Sequence, residues 1–458
     1  MLRPRRARAL VHAQPGALGQ RPPAPPPGRD GRVRGGTRRR RHRLDRERLA
    51  HPRGARALGR AVTIACDHDL FRRLFAAVNA HGRGEAGWTR PPWTDALRAA
   101  EAEVIGVAEA AGLVCAHDPA GNLWMTDPAA PADGLVAAGS HLDTVPAGGA
   151  FDGAQGVVSA LVAVLALRAA GVPGAERLAV ISFADEEGSR FDTPCFGSRT
   201  LVGTFGDEVA DSRDADGISI REAGPPRPVD AAGLHQRLAA YYEIHVEQGL
   251  ALEPADVSLG IATRLSARGR WEWSVSGEAN HAGTTPMAGR RDALVCAAAF
   301  VLAVQAEAEA HPGAVGTVGR IGVEPGGTNV VPSRAFGTLD CRALDNATRD
   351  AVVEALRAGF PDVAVEHRST DDAAVFDEGL RAGLFAAATA RGVSAMDLAS
   401  YAGHDAGTLA LAGVPSVMVF TRSPNGISHN PAEHSDEAVC LDAVDVLADA
   451  MAERLARP

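Results

Sequence analysis

The chain reads as an α/β protein carrying a smaller inserted α+β module. Three features predict this. Buried strand-like runs alternate with apolar helical runs up to about residue 256. Between 257 and 372 the pattern changes to strands with one wet face, interspersed with two helices. From about Ala374 the first texture returns. The expected division is a tail at 1–64, a larger domain at 65–256 and 373–458, and an insert at 257–372. A chain of 458 residues is long enough for two cores.

The elements follow in order. Residues 1–60 hold 18 Arg against Asp30, Asp45 and Glu47, with a Pro-rich run at Pro22–Pro27, and read as a solvated tail. They lack the apolar core of a secretory signal. Thr94 to Ala111 has helical spacing, with Leu97, Val104, Ile105 and Val107 on one side. Leu135 to Val145 reads as a buried strand leading into a Gly- and Pro-rich loop. Gly156 to Ala170 reads as a buried helix closed by Gly171 and Pro173, and Arg177 to Ala184 as the next strand. In the insert, Trp271, Trp273 and Val275 alternate with Glu272, Ser274 and Ser276, as a half-buried strand does. A helix at Asp292–Ala308, strands at Gly316–Val323 and Asn329–Asp340, and a helix at Thr348–Ala358 complete it. A helix from Ala374 to Ala390 and a buried strand at Pro415–Phe420 belong to the larger domain.

Composition excludes several chemistries. All 47 basic residues are Arg. Without Lys there is no P-loop lysine, no pyridoxal Schiff base, no Ser–Lys pair and no carboxylated-lysine metal bridge. The net charge is −9, and outside the tail the excess is strongly acidic, which argues against nucleic acid as a partner. No run of 18 apolar residues occurs, so no membrane span is expected. Six scattered Cys form no Cys-x-x-Cys pair and suggest reduced thiols in a cytoplasmic protein. Gly-x-Ser-x-Gly, a strand-to-helix Gly-x-Gly-x-x-Gly and His-Glu-x-x-His are all missing.

What remains is a set of His and carboxylate clusters beside apolar runs. His141 and Asp143 end one predicted strand, two apart and facing the same way, so Asp143 can orient the imidazole. Asp152 follows a loop and opens a helix, where it could cap the helix or bridge two cations. Glu186 and Glu187 follow another strand. Adjacent carboxylates repel unless a cation or proton lies between them, so one could ligate while the other acts as a base. His245, His404 and His429 each sit in a short polar segment, and alone each reads as an ordinary structural histidine. Together, imidazole and carboxylate without thiolate suit Zn, Mn, Co or Ni.

These stretches, in this order, resemble the dinuclear metallo-amidohydrolases related to aminoacylases and carboxypeptidase G. The nearest branch is that of the N-carbamoyl-L-amino-acid hydrolases, β-ureidopropionases and allantoate amidohydrolases. The carrying segments are His141–Gly153, Asp185–Phe191, Glu243–Gly249, Gly277–Met287, Thr328–Pro332, Gly403–Ala406 and Ser428–Glu433, spanning roughly 80–450. The resemblance implies a two-domain metallo-exopeptidase-like fold, with the insert as a lid through which a homodimer forms. It implies two divalent ions, one held by His141, Asp152 and His245, the other by Asp152, Glu187 and His429. It further implies a cis peptide at Asp152–Gly153, Glu186 as general base and then acid, and Asp143 as the orienter of His141. His281 would reach the partner's site and stabilise the oxyanion. Gln248, Asn329 and Arg342 would hold a ureido carboxylate, with Gly403 and His404 in a loop beside it. Allantoate is the leading expected substrate and an N-carbamoyl-L-amino acid the second. A metal-free binding relative and a dipeptidase are the other classes. His245, where dipeptidase-like relatives place a carboxylate, favours the ureido branch.

Overall fold

A computed structural model describes residues 63–457. The expectation of a solvated tail lies outside the described residues. The larger layer is a nine-stranded mixed sheet. At its centre four strands run parallel in the order Leu178–Phe183, Leu135–His141, Leu238–Val246, Ser416–Thr421. These strands are buried almost throughout, as a parallel sheet covered on both faces requires. Antiparallel strands extend both sides. Leu123–Thr126 and Val114–His117 lie beyond Leu178–Phe183, and Leu259–Leu265 lies beyond Ser416–Thr421. Ala374–Val375 and Ala395–Ser400 both pair with Leu259–Leu265.

Helix Ala154–Ala169 (AQGVVSALVAVLALRA) lies against the central strands with residues buried around nearly its whole girth, and Glu437–Leu455 packs beside it. Each fully buried Val, Leu or Ile there contributes roughly 1.5–3 kcal/mol relative to exposure.

The second layer is a four-stranded antiparallel sheet ordered Ala314–Glu324, Arg334–Ala343, Ala267–Ser276, Val363–Asp371. Its inward residues Trp271, Trp273 and Val275 form a separate core with helices Ala293–Ala310 and Asn346–Gly359.

Several elements differ from their sequence-based expectation. Leu259–Leu265 pairs in the large sheet, so the chain changes sheets at Ser266 rather than near 257. The segment from Ala374 first forms a short edge strand, and its helix starts at Glu378 because Asp377 caps it through Leu380 N. The Asn329–Asp340 run divides into Val330–Val331 and Arg334–Ala343, interrupted at Pro332. Strand Leu238–Val246 and helices His68–Val78 and Glu437–Leu455 had no assignment. One helix, Ala293–Ala310, has the length and apolar composition to cross a membrane, against expectation. One face of it packs on the small sheet through Ala293, Ala297, Phe300 and Val304. The six cysteines are all unpaired.

Candidate metal centre

The four parallel strands end side by side, and each delivers a polar group at its C-terminal end, the usual site of open α/β sheets. His141 closes its strand opposite Phe183, and Phe420 stands opposite His245. Asp152 precedes helix Ala154–Ala169. The Asp152–Gly153 peptide, expected cis, is trans. The reversal into the helix is made at Gly153 with φ 63°, where a Cβ would come within 2.4 Å of the His141 ring.

Asp152 is the hub. Its Oδ1 lies 3.2 Å from His141 Nε2 and 3.1 Å from His245 Nε2. Its Oδ2 faces Gln248 Nε2 at 3.0 Å, Ser428 Oγ at 3.2 Å and His429 Nε2 at 3.4 Å. Glu187 Oε2 also stands 3.4 Å from His429 Nε2. Two groups of potential ligand atoms result, His141–Asp152–His245 and Asp152–Glu187–His429, sharing one carboxylate.

The donors fit divalent cations on two observations. His141 Nδ1 donates to Asp143 O at 3.0 Å and His245 Nδ1 to Val246 O at 2.9 Å, so both rings turn Nε2 toward the same carboxylate oxygen. His141 Nε2 and Glu187 Oε1 are buried with no hydrogen-bond partner. Imidazole and carboxylate suit Zn or Mn.

The electrostatics express the crowding. Burial pushes Asp152 upward, but His245, His141 and His429 outweigh it and hold its carboxyl well below the usual range. Burial disfavours a charged His245, yet Asp152 overrides it and raises the imidazole to about 9. Glu187 is pushed well up by burial and by Asp152 and Glu186. Burial also raises Glu186 to about 7, with His141 opposing and Asp152, Asp143 and Glu243 reinforcing. A buried carboxyl near neutrality beside the ligand groups has the acidity a general base needs.

Asp143 meets both His141 and the Glu186–Glu187 turn. Its carboxylate is 3.6 Å from His141 Nδ1, whose proton goes to the Asp143 main-chain carbonyl. The carboxylate oxygens instead accept from Glu186 N and Glu187 N, each at 3.2 Å. The turn at Asp185, with φ 50°, aims both N–H groups at Asp143.

The residues expected to hold substrate divide into two sets. Gln248 and Arg342 line a cavity of about 510 Å³ together with His429. The Arg342 fork is taken by Asp340 at 2.8 and 3.3 Å, and its Nη1 donates to Tyr401 O. His404 is buried, its ring edge-on to that of His245 at 4.5 Å, and Gly403 precedes it. His281 and Asn329 are exposed on the small sheet's side, where His281 pairs with Val330 and its Nδ1 accepts from Gly283 N and Thr284 N. Neither touches the ligand cluster of its own chain.

Two residues went unassigned by sequence reasoning. Glu433, four after His429, binds the backbone of Phe151 and Asp152. Arg90 is fully buried and clamps the segment around Asp143: its Nε donates to Leu142 O, and its N–H and C=O pair with Thr144. Burial lowers its pKa to about 10, opposed by Asp143. Glu433 carried a signal in its spacing from His429; Arg90 carried none.

A carboxylate at the entry of a helix, faced by three histidines and with a buried glutamate beside it, is the arrangement of a metal-dependent hydrolase. The chain belongs to peptidase family M20/M25/M40, whose model matches residues 137–453. It is 36% identical over 393 residues to an N-carbamoyl-L-amino acid amidohydrolase of Geobacillus stearothermophilus, covering 82% of this chain and 96% of that protein. To an allantoate amidohydrolase of Bacillus subtilis (strain 168) it is 32% identical, covering 78% and 89%. A crystal structure of a hydantoinase/carbamoylase family amidase from Burkholderia multivorans superposes with a TM-score of 0.77 at 32% identity, covering 86% of this chain and 99% of that one.

Proposed function

We propose that the enzyme hydrolyses the C–N bond of a linear ureido acid, with an N-carbamoyl-L-amino acid as substrate and allantoate as the second reading. The observation that carries the chemistry is the Asp152 hub, shared by His141, His245 and His429 beside a Glu186 raised to about 7. The identity to the Geobacillus carbamoylase supports N-carbamoyl amino acids, moving allantoate from first to second.

His141, Asp152 and His245 would hold one divalent ion, and Asp152, Glu187 and His429 the other. Such a pair acidifies water and polarises a carbonyl. Glu186 takes the proton of the attacking water and returns it to the departing nitrogen. Asp143 holds the Glu186–Glu187 turn through two N–H groups. Arg342 and Gln248 hold the substrate's carboxylate end, Arg342 after exchanging Asp340 for it. His281 and Asn329 serve the site of a second copy, and His281 stabilises the oxyanion there.

Residues 267–371, the small sheet and its two helices, are the lid, and the homodimer forms through it. An apolar surface supports this: Val295 and Leu302 on helix Ala293–Ala310 and Val315 and Ile321 on the sheet's outer strand are all exposed. Unpaired cysteines support a reducing, cytoplasmic setting.

The test is ammonia release by metal-stripped protein reloaded with Mn or Zn, comparing N-carbamoyl-L-amino acids with allantoate. Metal-dependent turnover of the former supports the proposal. Turnover of allantoate alone reverses the order of substrates, and turnover of neither removes the ureido reading.

A further inference from the structure

A second cavity of about 510 Å³ borders the cluster and shares Ala402 with the first. Cys195 and His404 wall it toward the metal centre, and Arg199 and Arg268 line it as well. Cys195 Sγ donates to Glu186 Oε1 at 3.4 Å, and the His404 ring contacts that of His245. The cavity is therefore one side chain away from both the candidate base and a candidate ligand.

Arg268 stands where the chain passes from the large sheet to the small one. Its Nε donates to Asp371 Oδ2 at 2.7 Å. Among the described residues its Nη1 and Nη2 have no hydrogen-bond acceptor. The guanidinium lies against Gly403, where a Cβ would come within 2.1 Å of Nη1. Only glycine permits that approach. The other Asp371 oxygen is 3.8 Å from Arg199 Nη2, so two guanidiniums share one carboxylate. Asp372 is exposed and tied to Asn346. His404 Nε2 is buried without a partner. A cavity with two open guanidinium nitrogens on Arg268 and an unpaired imidazole nitrogen on His404 offers the donors a planar oxyanion needs.

We infer that this cavity is a subsite for a second acidic group of the substrate, so that the preferred ureido acid carries two carboxylates. The substrate class is the N-carbamoyl derivative of an acidic L-amino acid, with Arg268 gripping the side-chain carboxylate. The inference rests on the ureido-acid reading above.

Two measurements on the metal-loaded full chain test it separately from that reading. The first compares kcat/KM for N-carbamoyl-L-aspartate and -glutamate with that for N-carbamoyl-L-alanine and -methionine. The acidic substrates should lead by about tenfold or more. Arg268→Gln should cut that ratio about tenfold, Gly403→Ala should cut it by displacing Nη1, and Arg268→Lys should retain part of it. Equal rates for acidic and neutral substrates, or a ratio unchanged in Arg268→Gln, overturn the subsite. If no ureido acid is turned over, the ureido reading fails, and calorimetry with succinate decides the cavity by itself. Binding about tenfold weaker in Arg268→Gln than in the parent supports the subsite; equal binding overturns it. Should Arg268→Gln not fold, Gly403→Ala provides the same comparison.

Discussion

Glu433 Oε2 accepts the backbone N–H groups of both Phe151 and Asp152, each at 2.9 Å, while its Oε1 accepts from Ser428 Oγ. One carboxylate thus holds the main chain of the hub residue and a hydroxyl that touches the hub's side chain. Glu433→Gln keeps the shape but loses the charge and can offer only one acceptor oxygen. Metal affinity should fall by about 10- to 100-fold, as for other groups that orient a ligand. Competition against a chromogenic chelator reads this; unchanged affinity would show that Asp152 is held well enough without Glu433.

Asp152→Asn should cost more. The amide removes the charge that His141, His245 and His429 all face. Bound metal measured by elemental analysis should fall from two equivalents to below one. Two equivalents retained would rule out the shared-carboxylate arrangement.

Glu186→Gln should separate binding from chemistry. Both metals should remain, and turnover should fall by about 10²–10⁴-fold, the usual worth of a positioned general base. In the parent enzyme kcat/KM should drop as pH falls, with a limb no higher than about 7, the value at which the buried carboxyl takes up its proton. Divalent cations nearby favour the carboxylate and move that limb downward. Substantial activity in the variant, with the same acid limb, would reassign the base.

Metal affinity should rise with pH in the neutral to alkaline range. Without metal, His245 keeps its proton up to about 9, above the ordinary 6.5, because of Asp152. The stability this charge contributes is fully present below 6.5 and disappears as pH rises through 9. A ligating imidazole must lose that proton, so metal binding strengthens over the same window and levels off above about 9. Chelator competition from pH 6.5 to 9.5 checks the slope, and thermal melts of the metal-free protein check its opposite sign.

Arg90→Met should destabilise the fold by about 3 kcal/mol, through lost bonds to buried carbonyls. Arg90 Nε and Nη1 serve Leu142 O, Asn79 Oδ1 and His81 O, and the methionine leaves those acceptors unpaired. Thermal denaturation measures it. A melting point within 1 °C of the parent, as a rough threshold, would mean water replaces the guanidinium.

The sequence by itself determined the layered α/β class, because buried parallel strands such as LAVISF are apolar on both faces and cannot read as anything wet. It also determined the chemistry on offer: no lysine, no thiolate pair, and carboxylates and imidazoles after apolar runs. Strand Leu238–Val246 was harder to read, since Glu243 and His245 interrupt its apolar pattern. Both are buried there because Ser140 and Ala406 N satisfy the one and Asp152 faces the other. Only the tertiary structure decided which groups meet. Asp152 and His245 are 93 residues apart in the chain, and Asp152 and Ser428 are 276 apart. No local pattern encodes such distances; sheet order does, by ending four parallel strands side by side. The same holds for Asp143, whose carboxylate goes to the Glu186–Glu187 turn, and for Arg268, whose open guanidinium nitrogens depend on Gly403 and Asp371 arriving from distant segments.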